Sequence, residues 1–171
     1  MANIVLIGMP GCGKSTVGVL LAKALGMAFL DTDIVLQAQE GRLLQSLLDE
    51  IGIDAFLRRE EEAILTVDAK DTVIATGGSV VYEQQAMRHL HACGKVVYIA
   101  LPYEEIERRL SNLATRGVAL RPGQTLRDLY DERTPLYERA ADIVVHAGGL
   151  DIEQTVAALL DRLRGLVADG K

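Results

Sequence analysis

Residues 3–15 of the chain read NIVLIGMPGCGKS, a continuous apolar run followed by a glycine-rich loop and a lysine–serine pair. The run Asn3–Ile7 is typical of a strand that is buried on both faces. Residues 14–25 predict a helix that stops at Gly26. Between the two, residues 8–15 fit the pattern G-x-x-x-x-G-K-[ST] of a P-loop, which requires a preceding strand and a following helix. The alternative is a glycine-rich turn with a chance lysine–serine pair, and the flanking elements favour the P-loop.

A P-loop of this kind predicts a phosphate site. Its glycines allow successive backbone N–H groups to turn inward around a phosphate, and the helix N-terminus adds a partial positive charge. Lys14 supplies a mobile cation for the β- and γ-phosphates of ATP, and the Ser15 hydroxyl can bind Mg²⁺. We therefore predict ATP and Mg²⁺ as ligands, with these nucleotide-binding residues: Gly11, Cys12, Gly13, Lys14, Ser15 and Thr16.

The bulk composition limits the classes of function. A length of 171 residues, 49% of them hydrophobic, suits one domain with one core. A net charge of −6 argues against a broad basic face for nucleic acid. Cys12 and Cys93 lie far apart, and the histidines show no metal-ligand spacing, which favours reduced thiols. The apolar run near residue 5 is too short for a leader or a membrane span. We expect a cytoplasmic protein without nucleic-acid or membrane partners.

Strand-like and helix-like segments alternate along the rest of the chain. The pattern predicts strands at 3–7, 28–30, 72–75, 96–100 and 142–146, and helices at 14–25, 34–40, 43–50, 54–69, 83–92, 103–113, 126–140 and 152–167. Strands separated by helices imply a parallel sheet with right-handed crossovers, hence an α/β sandwich. Ligands of such sheets bind beyond the carboxyl ends of the strands.

Two carboxylates follow the second predicted strand. Asp31 and Asp33 could divide two tasks, one orienting Mg²⁺ and the other accepting a proton from an attacking hydroxyl. The alternative is that this segment only caps the next helix, and the two roles are compatible.

Three further segments have weaker signals. Gly77 and Gly78 end a strand and permit close backbone approach to a ligand, or form a plain tight turn. Residues 111–123 have no clear period and predict a mobile lid, from which Arg116 could reach the γ-phosphate. The acidic run at residues 60–62 favours a solvated helix face.

Taken together, the blocks GMPGCGKST, LAKALG, FLDTD, FLRREE, IATGG, VVY and RTPLYERAAD resemble the shikimate kinase family over nearly the whole chain. The resemblance implies a P-loop NTPase-type three-layer α/β fold with a five-stranded parallel sheet, a lid at about 111–123 and an acceptor-binding subdomain at about 31–60. It implies ATP- and Mg²⁺-dependent phosphoryl transfer to a small hydroxylated metabolite by a monomer. Position by position it implies a metal site at Ser15 and Asp31, catalytic Lys14, Asp33 and Arg116, adenine contact by Arg109, and acceptor contact by Asp33, Gly77 and Gly78.

The chain departs from the family at four places. The family usually has arginines at the positions of Leu57 and Glu138, a third glycine at Ser79, and a proline at Gly117. Three of these positions hold the acceptor in the family. We therefore predict that the ATP half of the site is intact, that the acceptor half is altered, and that shikimate is a poor acceptor.

Two other readings of the sequence remain open. One is an ATP-binding regulatory module that has lost its acceptor, although a pure switch needs neither Asp33 nor Arg116. The other is a kinase for a different acceptor class, such as gluconate or a nucleoside monophosphate.

Overall fold

A five-stranded parallel sheet forms the centre of the molecule. In the computed structural model, which describes residues 2–111 and 118–168, the strands are β1 (Asn3–Ile7), β2 (Ala28–Asp31), β3 (Thr72–Ala75), β4 (Gly94–Ala100) and β5 (Ile143–His146). Their order is β2-β3-β1-β4-β5, and every neighbouring pair is parallel. The predicted α/β fold with a five-stranded parallel sheet is confirmed.

Helices connect the strands and cover both faces of the sheet. They are α1 (Lys14–Leu25), α2 (Thr32–Glu40), α3 (Leu44–Ile51), α4 (Ile53–Leu65), α5 (Gln84–Cys93), α6 (Tyr103–Ser111), α7 (Leu126–Ala140) and α8 (Ile152–Ala168). A short 3₁₀ turn, Val80–Tyr82, precedes α5 and was not predicted. The helix predicted at 54–69 extends too far, since α4 already ends at Leu65 in the structure. None of the described helices is long and apolar enough to cross a membrane.

The central position of β1 explains its sequence. All residues of β1 and β3 are buried, whereas the edge strand β2 has exposed and half-buried positions. An uninterrupted apolar run is therefore found where helices cover both faces of a strand. This placement leaves the loop after β1 in the middle of the carboxyl edge, with β2 and β3 ending nearby on the same edge.

A smaller apolar cluster lies under helices α2, α3 and α4, apart from the main core. It consists of Leu36, Leu47, Leu48, Phe56, Ala63 and Ala119. Ala119 belongs to the segment predicted as a lid, and this residue packs against the predicted acceptor-binding subdomain. Arg116 and Gly117 lie outside the described residues.

Candidate active site

A cavity of about 770 Å³ opens at the carboxyl edge of the sheet. The P-loop, α2, α3, α4, the turn after β3 and the end of α6 supply its walls. We call the part formed by α2, α3, α4 and residues 77–79 the acceptor end; its lining includes Asp33, Gln37, Leu43, Leu44, Gln45, Phe56, Glu60, Gly77, Gly78 and Ser79.

The P-loop has the conformation that its glycines predict. Gly8 has φ +148°, and a Cβ there would meet Ile99 O at 2.8 Å, so a side chain at this position would be both strained and obstructed. Lys14 is buried, and its ammonium group donates to the carbonyls of Gly8 at 2.8 Å and Met9 at 3.0 Å. The loop thus holds the lysine beside the mouth of the cavity, where a phosphate would lie against the start of α1.

The P-loop and the end of β2 meet through Ser15 and Asp31. The Ser15 hydroxyl donates to Asp31 Oδ2 at 2.6 Å, and the other carboxylate oxygen, Oδ1, accepts from the backbone N–H of Asp33 at 2.9 Å. Asp31 is therefore also the N-cap of α2, so the capping and functional readings are compatible here. A hydroxyl and a carboxylate in contact are hard oxygen donors of the kind that Mg²⁺ prefers.

Asp33 lies two residues further on, in the first turn of α2, and lines the cavity. Burial, helped by the neighbouring charge of Asp31, raises the pKa of the Asp33 carboxyl to about 6, although Lys14 opposes the shift. A carboxyl with this pKa is mostly ionised at pH 7 and is more basic than an ordinary aspartate.

A second carboxyl, Glu60, completes the acceptor end. Glu60 is 3% exposed, and the Ser79 hydroxyl donates a short hydrogen bond to its Oε2 atom. Burial, followed by the charge of Asp33, raises the pKa of Glu60 to about 7. Gly77 separates the two carboxyls: a Cβ there would clash with Glu60 Oε1 and would lie 2.9 Å from Asp33 Oδ1. Only glycine fits between them.

A buried arginine lies behind the turn that contains Gly78. Arg133 on α7 is 2% exposed, donates to Tyr82 Oη at 3.3 Å and contacts Ala119 O at 3.5 Å. Its Nη1 atom is 3.0 Å from the point that a Cβ of Gly78 would occupy. The Tyr137 hydroxyl donates to the carbonyl of Gly78 from the same side. These contacts fix the turn at the acceptor end.

Arg109 lines both the main cavity and a neighbouring one of about 690 Å³. Its guanidinium group donates to the carbonyls of Gly11 at 3.4 Å and Cys12 at 3.3 Å, and it pairs with Glu105 at 3.2 Å. The second cavity is lined by the start of α1 and by the segment that leads into α8. Its position beside the P-loop fits the nucleoside part of a nucleotide whose phosphates lie at Lys14.

Comparison with known proteins decides the family. A family model for shikimate kinase matches residues 10–164. A curated shikimate kinase from Pseudomonas paraeruginosa is 38% identical over 169 residues, covering 97% of this chain and 98% of its own. The chain belongs to the shikimate kinase family. It is therefore an ATP-dependent small-molecule kinase.

Solved structures of the shikimate kinase family agree with this assignment. A shikimate kinase from Acinetobacter baumannii in complex with shikimate is 30% identical, with a TM-score of 0.89, and the match covers 100% of this chain and 96% of that one. The shikimate kinase from Aquifex aeolicus is 31% identical, with a TM-score of 0.83, covering 98% of this chain and 99% of that one.

The geometry corrects two predictions about the acceptor half. Glu60 was assigned to a solvated face but is buried at the cavity, whereas its neighbour Glu62 is exposed. Glu138 was placed in the acceptor pocket, but it is exposed and absent from the described lining. It therefore does not line the acceptor end. Arg133, to which the sequence assigned no role, reaches the turn from α7 together with Tyr137.

Of the other two altered positions, Ser79 lines the acceptor end, as expected, and Leu57 does not. Leu57 is buried but faces a small adjoining recess that also touches Tyr82, Ala119 and Arg133. An i, i+4 pattern from Phe56 to Glu60 is the sequence signal that places Glu60 on the inner face of α4, because residues four apart share a face.

Proposed function

We propose that this kinase transfers the γ-phosphoryl group of ATP to a hydroxyl group of a small polyol bound at the acceptor end. The observation that carries the proposal is that Lys14 and Asp33 line one cavity, a phosphate-binding cation on one side and a carboxylate of raised pKa on the other. Phosphoryl transfer needs these two elements: charge stabilisation of the transferred group and alignment of the attacking hydroxyl.

On the donor side, the P-loop backbone and Lys14 would hold the phosphates, and Arg109 would lie near the adenine. Ser15 and Asp31 would hold Mg²⁺, since the Ser15 hydroxyl and the Asp31 carboxylate lie in contact and are the oxygen donors that this ion prefers. When bound there, Mg²⁺ supplies neutralisation of charge on the β- and γ-phosphates. Residues Gly11, Cys12, Gly13 and Thr16 complete the proposed phosphate cradle.

On the acceptor side, Asp33 would accept a hydrogen bond from the reacting hydroxyl and take its proton as transfer proceeds. A pKa of about 6 keeps the group ionised at pH 7 while making it a usable base. Gly77 and Gly78 would lie against the acceptor ring. Arg116 is proposed to supply a further cation for the γ-phosphate.

Shikimate is the first acceptor to test, because curated relatives are named shikimate kinase and one related structure is a complex with shikimate. The experiment measures ADP release by purified protein with ATP and Mg²⁺, with shikimate, gluconate or a nucleoside monophosphate as acceptor. ADP release that requires an acceptor and falls strongly in Asp33→Asn supports the proposal. ADP release without any acceptor dependence would instead favour an ATP-binding regulator.

A further inference from the structure

Glu105 on α6 joins two walls of the second cavity, the one beside the P-loop. Its Oε1 atom accepts a hydrogen bond from Arg109 Nη2 at 3.2 Å, and its Oε2 atom accepts one from the backbone N–H of Gly149, also at 3.2 Å. Arg109 lines this cavity, and Ala147 and Leu150, on either side of the turn at Gly149, line it as well. One carboxylate therefore sets the spacing between the arginine and the turn.

The turn between β5 and α8 lies close against the start of α6. A Cβ at Gly148 would lie 2.9 Å from Pro102 Cδ, so a side chain there would push the turn away from α6. Gly149 has φ +75°, a backbone conformation that favours glycine, and it is the residue whose N–H reaches Glu105. The two glycines thus allow the turn to contact the Glu105 carboxylate.

The Glu105 side chain is largely shielded from solvent. It is 11% exposed, against 32% for Arg109 and 73% for Arg108, whose Nη2 atom lies 3.5 Å from the same Oε1 atom. A carboxylate accepts at both oxygens, so one side chain can meet a guanidinium group and a backbone N–H at once. An amide of the same shape cannot do so, because one of its two terminal atoms is a donor.

Arg109 links this arrangement to the P-loop. The guanidinium group that pairs with Glu105 also donates to the carbonyls of Gly11 and Cys12. An arginine side chain has many rotamers, and holding it in one of them before the ligand arrives lowers the entropy cost of binding. A nucleoside entering the second cavity would therefore meet a wall that is already ordered.

We propose that Glu105 is a positioning residue for the nucleotide, which holds Arg109 and the turn at Gly149 at the spacing that the nucleoside part of ATP requires. This inference rests on the proposed function, in which the phosphates lie at Lys14 and the nucleoside lies in the second cavity. Glu105 acts through Arg109 and the turn rather than by touching the nucleotide. Its loss should weaken nucleotide binding and leave the transfer step unchanged.

Calorimetry with ADP and Mg²⁺ tests this role without any acceptor. Glu105→Gln keeps the shape of the side chain but leaves either Arg109 or Gly149 without an acceptor. It should raise the Kd for ADP about tenfold, as expected when a hydrogen bond to a charged group is lost. The kcat at saturating ATP should not change, because the transferred phosphate lies against Lys14. Glu104→Gln is the matched control, since it removes an exposed charge from the same turn of α6 and should leave the Kd unchanged.

Two further variants separate this role from a general loss of structure. In an Arg109→Gln background, Glu105→Gln should have a much smaller effect on the Kd, whereas full additivity would overturn a role through Arg109. Gly148→Ala displaces the same turn without altering a charge, so it should also weaken ADP binding and decides the matter if Glu105→Gln folds poorly.

The outcomes distinguish this inference from the proposed function. An unchanged Kd for ADP in folded Glu105→Gln, or in Gly148→Ala, would overturn the inference while leaving the kinase function intact. Failure of the unaltered protein to bind ADP would overturn both.

Discussion

Replacing Glu60 by glutamine should stabilise the ligand-free protein at alkaline pH. The pKa of Glu60 is raised from 4.5 to about 7, first by burial and then by Asp33. At pH values between 4.5 and about 7, Glu60 therefore keeps its proton in the folded protein but has lost it in the unfolded chain. Below pH 4.5 the contribution of Glu60 to the free energy of unfolding does not change with pH. As the pH rises from 4.5 to about 7 this free energy declines, because the native state binds more protons than the unfolded state.

The size of the effect follows from the same shift. One pKa unit corresponds to about 1.4 kcal/mol. Between pH 5 and pH 8, linkage gives a loss of about 2–3 kcal/mol in the free energy of unfolding of the unaltered protein. Glutamine has nearly the same shape, can still accept from the Ser79 hydroxyl and does not titrate. Glu60→Gln should recover this loss, or about 4–12 °C in Tm for a chain of this size.

Urea unfolding at pH 5 and pH 8, without nucleotide, measures the difference directly. Glu62→Gln is the matched control, because its carboxylate is exposed and pairs with Arg59 at the surface of the same helix. The stability gain of Glu60→Gln over the unaltered protein should be larger at pH 8 than at pH 5, while the control shows no such change. An equal effect of Glu60→Gln at both pH values would show that Glu60 is not a buried carboxyl of raised pKa.

Three further substitutions separate the two halves of the site. Lys14→Ala should lower kcat by about 100-fold or more, because it removes a cation that stabilises transferring charge, with an unchanged circular dichroism spectrum; near-normal turnover would exclude this role. Asp33→Asn should lower kcat far more than ATP affinity measured by calorimetry; lost ATP·Mg²⁺ binding with retained turnover would exchange its role with that of Asp31. Leu57→Arg should raise kcat/KM for shikimate about tenfold by placing a cation one helical turn from Glu60; an unchanged steady-state value would show that position 57 does not influence the acceptor.

The donor half of the site was predictable from the sequence because its signals are local. The P-loop depends on a contiguous run of residues between β1 and α1, and those two elements were predicted with correct bounds. Asp31 and Asp33 were expected at the carboxyl end of a strand, where ligands of parallel sheets bind. In the structure Asp31 ends β2 and Asp33 lines the cavity.

The acceptor half was less predictable because it depends on how helices rotate against the sheet. Glu60 lies in an acidic run whose composition suggests solvent, yet its side chain faces inward beside Phe56. Glu138 and Arg133 are five residues apart on α7, about 140° around a helix, so only the docked helix shows which one reaches the turn at Gly78. Sequence pattern gives the period of a helix but not its contacts with distant segments.

The fate of the γ-phosphoryl group shows whether this protein transfers it from ATP to a small acceptor. Phosphorus NMR can follow purified protein with ATP, Mg²⁺ and each acceptor in turn. A new phosphomonoester signal from the acceptor should appear in step with ADP and should be lost in Asp33→Asn. Formation of ADP with inorganic phosphate alone, or no change in ATP with shikimate, gluconate or a nucleoside monophosphate, would contradict the proposed phosphoryl transfer.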